Sequence, residues 1–357
     1  MRRTFFITII ALLVASAPSR GQAPTSAPTY AYDVFGAYVE SLRTQAGIPG
    51  LAVAVVGEDG ILWEHAYGRQ DLTRNIATRT DTPFQLDGLT EAFTASIVLR
   101  CVEERRLSLS DRIGEFDPNS PDAGATIQEV LTHTSASAEG LVFAYRPERL
   151  EPLRIAVRAC TQDSYRETLA NQLQQFGMFD SVPGPDVVYL APPAEGVPNA
   201  ADRERYASVL QRLSTPYAVD AKGRASASQY SQSTLTPSSG LISTVRDYAR
   251  FDMALRLGWL LEPATLAAAW RAPIGADGRP IPHGMGWFVQ SYNAETVVWQ
   301  FGLDENASSA LVMTVPGRKL TLVLMANSDR LVKPLPLAAG DLTVSPFGKL
   351  FLSFFVR

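Results

Sequence analysis

The sequence predicts an α+β fold in which an antiparallel sheet is flanked by helices and joined to a mostly helical domain. Three observations predict it. A hairpin-like strand pair lies near the start, over 51–56 and 61–67, with a turn at Asp59-Gly60. Four strand-like runs lie near the end, over 286–292, 296–301, 308–315 and 319–326. The chain between them reads as helices and loops, so strands and helices are segregated rather than alternating as a parallel βαβ fold requires.

Each element follows from local pattern. Phe35, Tyr38, Val39 and Leu42 recur at helical spacing and Gly47 supplies a stop. The run 51–56 is continuously apolar, as in a buried strand. Residues 92–102 are apolar nearly all round, which predicts a buried central helix. Thr126 and Glu129 form a capping box for a short helix that runs into Leu131. The segment 154–176 reads as mostly helical. Residues 182–230, rich in Pro, Gly and Ala, read as long loops. A helix is expected over 246–257, a tight turn at Pro316-Gly317, and a docked helix over 346–356. The apolar run of that tail is too short for a membrane anchor. No internal repeat is visible.

Composition narrows the function classes. The 357 residues are 46% hydrophobic and 19% charged, which excludes global disorder. That length suggests about two domains. They are expected to interleave, with a sheet domain from 32–84 and 236–357 and a mostly helical domain over 85–235. The formal charge of −4 argues against nucleic acid as a partner. Arg2 and Arg3 precede an apolar stretch over 5–15 and then small residues, the layout of a secretory signal peptide over 1–23. A flexible leader over 24–31 is expected after it. Removing Arg2, Arg3 and Arg20 with no acid takes the charge from −4 to −7. The expected product is exported, periplasmic or extracellular, with no membrane span after cleavage.

Several short motifs then occur in a fixed order. They are Ile48-Pro49-Gly50, Asp81-Thr82-Pro83-Phe84, Phe93-Thr94-Ala95, Leu107-Ser108-Leu109-Ser110-Asp111, Leu131-Thr132-His133-Thr134-Ser135, the run from Ser239 to Asp247, Gly284-Met285-Gly286-Trp287 and Asn327-Ser328-Asp329. In this order they resemble the landmarks of the serine β-lactamase and penicillin-binding-protein-like family, from about Tyr32 to Phe355. The resemblance implies a β-lactamase/transpeptidase-like fold. It also implies three catalytic motifs: Ser-x-x-Lys at the start of the buried helix, Tyr-x-Asn in the helical region, and Lys or His, Thr or Gly, then Gly on a sheet strand.

The flanking landmarks place Gly88 at the serine and Glu91 at the lysine. Gly88 has no side chain to serve as nucleophile, and an ionised Glu91 would repel an oxyanion rather than hold it. Tyr145-Arg146-Pro147 stands at Tyr-x-Asn, so Tyr145 is the retained catalytic candidate, while Pro147 lacks the amide. Gln300-Phe301-Gly302 stands at the strand motif, and only Gly302 matches. Ala136 replaces the glycine that follows the His-Thr-Ser stretch. Nucleophile, activating base and anion clamp are lost together, in distant parts of the chain. The reading is a catalytically inactive serine-hydrolase homologue, a pseudoenzyme. Its cleft is expected to take a small-molecule or peptidoglycan-fragment ligand, neutral or cationic, or a protein partner. The alternative is a hydrolase with relocated chemistry, drawing on Thr90, Ser96 or Ser135 and on Asp87 and Glu91, four apart on one helical face. Each hydroxyl has a structural reading that outweighs this: helix start, helix interior and turn. No cofactor and no metal are expected, because His65, His133 and His283 lack ligand spacing. Cys101 and Cys160 are expected as separate buried thiols rather than a bridge.

Overall fold

The computed structural model describes residues 26–356. The expected signal segment over 1–23 lies outside the described residues. Helix α1, Ser26–Ala46, begins inside the segment expected to be a flexible leader, which is therefore helical from Ser26 onward. Its Tyr32 stacks on Trp63 and Phe355, contacts from both chain ends that no local pattern encodes.

Strands β1 (Gly50–Val56), β2 (Ile61–Asp71) and β3 (Ile76–Ala77) follow. After the short strand β4 (Phe84–Gln85) come helices α2 (Thr90–Glu103), α3 (Ile113–Phe116) and α4 (Ile127–Leu131). The capping box read from Thr126 and Glu129 starts α4. Strands β5 (Thr134–Ser137) and β6 (Gly140–Phe143) form a hairpin that the sequence did not signal. The segment read as one helix is two, α5 (Leu153–Thr161) and α6 (Tyr165–Gln175), broken where Gln162 turns left-handed. The segment read as loops holds strand β7 (Val182–Pro183), helix α7 (Ala200–Gln211) and the pair β8 (Tyr217–Val219) and β9 (Ala225–Ala227). Helix α7 buries only Tyr206 and Val209, so it has no apolar stripe to read. Its start is fixed by the Asn199 side chain, which accepts from the Asp202 amide.

Strand β10 (Leu241–Ser243) then leads into α8 (Val245–Arg256) and α9 (Pro263–Ala269). Strands β11 (Phe288–Tyr292), β12 (Glu295–Asp304), β13 (Ser308–Val315) and β14 (Leu320–Ala326) and helix α10 (Pro346–Phe355) close the chain, near the expected bounds. The main sheet has seven strands in the order β11-β12-β13-β14-β1-β2-β3, antiparallel at every pair.

Both faces of that sheet are covered, which explains why β1, β13 and β14 read as continuous apolar runs. Along β1, Ala52, Ala54 and Val56 face the core that includes Ala92 and Phe93 of α2 and Tyr248 and Phe251 of α8. Leu51, Val53 and Val55 face Phe35 of α1 and Phe351 of α10. The first and last strand groups are tied by Asn327. Its Oδ1 accepts from the Gly50 amide at 2.7 Å, and its Nδ2 donates to the Arg69 and Gln70 carbonyls. Thus the Ile48-Pro49-Gly50 and Asn327-Ser328-Asp329 landmarks meet in space. Among the described residues no helix is long and apolar enough to cross a membrane.

The expectation of separate thiols is overturned. Cys101 of α2 and Cys160 of α5 form a disulfide, because the two helices lie side by side with the cysteine Cα atoms 6.1 Å apart.

Candidate functional site

The chain passes from β4 through a 3-10 turn, Asp87–Leu89, directly into α2. Asp87 adopts a left-handed backbone (φ 48°), and its side chain is buried at the edge of a cleft. Its Oδ2 accepts from the Ser308 hydroxyl at 2.9 Å, and its Oδ1 has no hydrogen-bond partner. Burial, reinforced by Asp304, pushes the Asp87 carboxyl up to about 8.

Gly88 lies against β12. A Cβ there would stand 2.5 Å from the Phe301 carbonyl oxygen and 3.3 Å from the Tyr145 hydroxyl. Gly302 makes the approach possible, since a Cβ on it would meet the Leu86 carbonyl oxygen at 2.0 Å. Turn and strand are therefore in backbone contact at the point where the family resemblance puts a nucleophile.

One turn later, Glu91 is fully buried. Its Oε1 accepts from the Tyr145 hydroxyl at 2.8 Å. Its Oε2 lies 3.0 Å from His133 Nε2 and 3.3 Å from Gln300 Nε2. Glu91, Tyr145 and Gln300, drawn from three separate motifs, thus converge on one carboxyl group. Desolvation raises Glu91 to about 7, the nearby His283 and the Tyr145 hydrogen bond acting in the opposite sense. Burial, then the Glu91 carboxylate, pushes the Tyr145 phenol well above its ordinary range. Pro147 lies with Tyr145 on the wall of a cleft of about 480 Å³. Gly88, Glu148, Ser238, Ser239, Phe301 and Leu303 also line this cleft.

Sequence spacing failed for the histidines. His65 is exposed on β2. His133 and His283 are buried together, ring centroids 4.7 Å apart, and with Glu91 they offer ligand atoms within 4.8 Å of one another. Only the tertiary fold brings them together, so no local signal could have found them. These are the residue types of a His₂Glu metal centre, and the two rings differ in fit: His283 pairs Nδ1 with the Gly284 carbonyl at 2.6 Å and leaves Nε2 without a partner, whereas His133 is held otherwise. The Arg146 amide donates to His133 Nδ1 at 3.2 Å, which puts the ring proton on Nε2, facing Glu91. To bind a cation through Nε2, His133 would have to carry its proton on Nδ1, against that amide. His133 is therefore a donor to Glu91. Burial lowers both rings to about 3, with Arg149 adding to the effect on His133, so both are neutral near pH 7.

The hydroxyls proposed for relocated chemistry are placed otherwise. Thr90 Oγ1 accepts from the Leu241 amide, and Ser96 donates to the Phe93 carbonyl and accepts from Gln172. Ser135 lies on β5. Asp87 and Glu91 do not act as a pair, because one turns to Ser308 and the other to Tyr145 and His133. Three serines that the sequence reading missed as site residues, Ser231, Ser238 and Ser239, line the cleft. The side-chain partner of Ser238 and Ser239 is Thr236, which offers no base.

A family model described as Beta-lactamase matches residues 35–341. Penicillin-binding protein 4* of Bacillus subtilis (strain 168) is 31% identical over 96 residues, which are 27% of this chain and 21% of that protein. The chain thus matches about a fifth of that relative's length. Among solved structures, the octameric penicillin-binding protein homologue from Pyrococcus abyssi superposes with a TM-score of 0.69 at 16% identity, covering 84% of this chain and 74% of that one. A class C beta-lactamase from Rhodobacter sphaeroides gives a TM-score of 0.68 at 14% identity, covering 91% of this chain and all of that one. At these identities the structures speak for the fold alone.

Proposed function

Since this chain belongs to the beta-lactamase family, and since its cleft lacks the family's serine, we propose that it is a catalytically inactive, exported member that binds a ligand or partner without turning it over. The observation that carries this reading is the contact at Gly88. Residue 88 lacks a nucleophile, and the Phe301 carbonyl stands within 2.5 Å of where its Cβ would be. Neutral His133, Tyr145 and Gln300 surround Glu91 where an activating lysine would be needed, so the carboxyl at that position is already engaged by three partners rather than by a nucleophile's hydroxyl. Tyr145, the retained candidate, is engaged as a donor to Glu91.

Export is supported by the disulfide, which uses both cysteines of the chain and persists in oxidising compartments. Ligand binding is supported by the cleft, whose volume suits a small organic molecule. The test is intact-mass analysis after incubation with a penicillin and with a fluorophosphonate. No adduct is expected; stoichiometric acylation or phosphonylation of any serine overturns the reading.

A further inference from the structure

Two carboxyl groups line the cleft and two more lie behind its lining. Asp87 and Glu148 line it, Glu91 stands behind the Tyr145 hydroxyl, and Asp304 accepts from the amide of Ser231, another lining residue. No Lys, Arg or His is among the described residues that line it. Phe301, Leu303, Pro147 and Ala338 supply the apolar part of the lining. One observation singles out the Asp87 end. Its carboxyl is almost fully buried, and Oδ1 has no donor. A buried acceptor left unpaired is costly, and a ligand that moves aside the thin cover of Oδ1 and brings a donor relieves that cost.

We propose that the cleft binds an organic cation, a primary ammonium or guanidinium on an apolar body, with the charged end over Asp87 and the body against Phe301, Leu303 and Ala338. The proposal rests on the reading of the cleft as a binding site and names the class of ligand. A carboxylate ligand would meet the same acids with no cation to hold it. Glu148, exposed at the rim, attracts the cation in a salt-dependent way.

Protonation gives the proposal a signature. The titratable groups that face Asp87 are Asp304 and Tyr230; burial, then the Asp304 carboxyl, favours the neutral form of Asp87 below about pH 8. Seating a cation there ionises the carboxyl and releases about one proton. Affinity then rises about tenfold per pH unit below 8 and levels off above it.

The test is isothermal titration of the full chain with phenethylamine and benzamidine, and with phenylacetate and benzyl alcohol for comparison. It is run at pH 6.5, 7.5 and 8.5 in two buffers of different ionisation enthalpy. The cations are expected to bind more tightly than phenylacetate by at least tenfold, with the pH gain and proton release described. Asp87→Asn is expected to remove the pH dependence and weaken cation binding at pH 8.5 about tenfold; asparagine also tolerates the left-handed backbone. Ala338→Trp, at an exposed wall position, is expected to block every probe without touching Asp87. Phenylacetate or benzyl alcohol binding as tightly as the amines, with Ala338→Trp blocking them, overturns the cation assignment and leaves the binding reading in place. Cation binding that Asp87→Asn does not change overturns it too. Failure of all four probes to bind removes the binding reading together with the inference.

Discussion

At position 88 a hydroxymethyl group has no room, because the Phe301 carbonyl occupies its place. Gly88→Ser is therefore expected to destabilise the fold by about 1–3 kcal/mol, the usual range for overpacking. The Gly88→Ser, Glu91→Lys double variant is expected to show no penicillin acylation, since it also puts a cation where Glu91 accepts three hydrogen bonds. Urea midpoints and intact mass measure the two effects. The titrating groups set a pH profile. Asp87 is raised from 3.8 to about 8 and Glu91 from 4.5 to about 7, so each contributes stability that is lost as pH rises through that window. His133 and His283, lowered from 6.5 to about 3, have the opposite sign and contribute stability that is lost as pH falls below 6.5. Between pH 4.5 and 6.5 the four offset one another, and above 6.5 only the acids titrate. Stability is expected to decline from pH 6.5 to 8, by about 1.4 kcal/mol per pH unit per proton. Asp87→Asn is expected to flatten the part between 7 and 8. Gly88 and Glu91 were legible as substitutions because nearby landmarks number them; the partnership of Glu91 with His133 was not, because 42 residues separate the two.

Helix α2 ties the site to the helical region. Its first turn carries Glu91, and its last turn carries Cys101, bonded to α5. The bridge spans a separation of 59 residues, and a loop of that size implies about 4 kcal/mol of stabilisation by restriction of the unfolded chain. Cys101→Ser with Cys160→Ser is expected to lower the urea midpoint by a corresponding amount while leaving the circular-dichroism spectrum unchanged. A variant as stable as the parent counts against this. Elements with a strong apolar period were legible: β1, α2, α8, β13 and α10 stand where the pattern put them. Helix α7 and the β5–β6 hairpin were not, because α7 buries only Tyr206 and Val209 and β6 leaves Gly140 and Val142 exposed. The disulfide was missed for another reason: predicted helices carry no information on which faces meet.

The whole sheet is closed by contacts between the two ends of the chain. Asn327 carries several of these, so Asn327→Ala leaves the Gly50 amide and two carbonyls without their partner. It is expected to cost about 2–4 kcal/mol, read from the thermal or urea transition. The ordered landmarks made the overall architecture legible because they mark turns and close contacts that the fold requires. The cleft itself was not, since its volume and its acids depend on how β12, the 3-10 turn and the loop before β10 come together.

The pairing of β1 with β14 also dictates a timetable. Leu51 lies opposite Ala326, so the centre of the sheet cannot form until nearly the entire polypeptide has been synthesised. Until then β1 and β2 are a hairpin with one long edge unprotected, a form that a holdase can keep unfolded. The Cys101–Cys160 bridge needs far less chain and can close first. Chains halted before residue 316 should therefore remain protease-sensitive even when already oxidised, and acquire resistance only once the β14 segment is released.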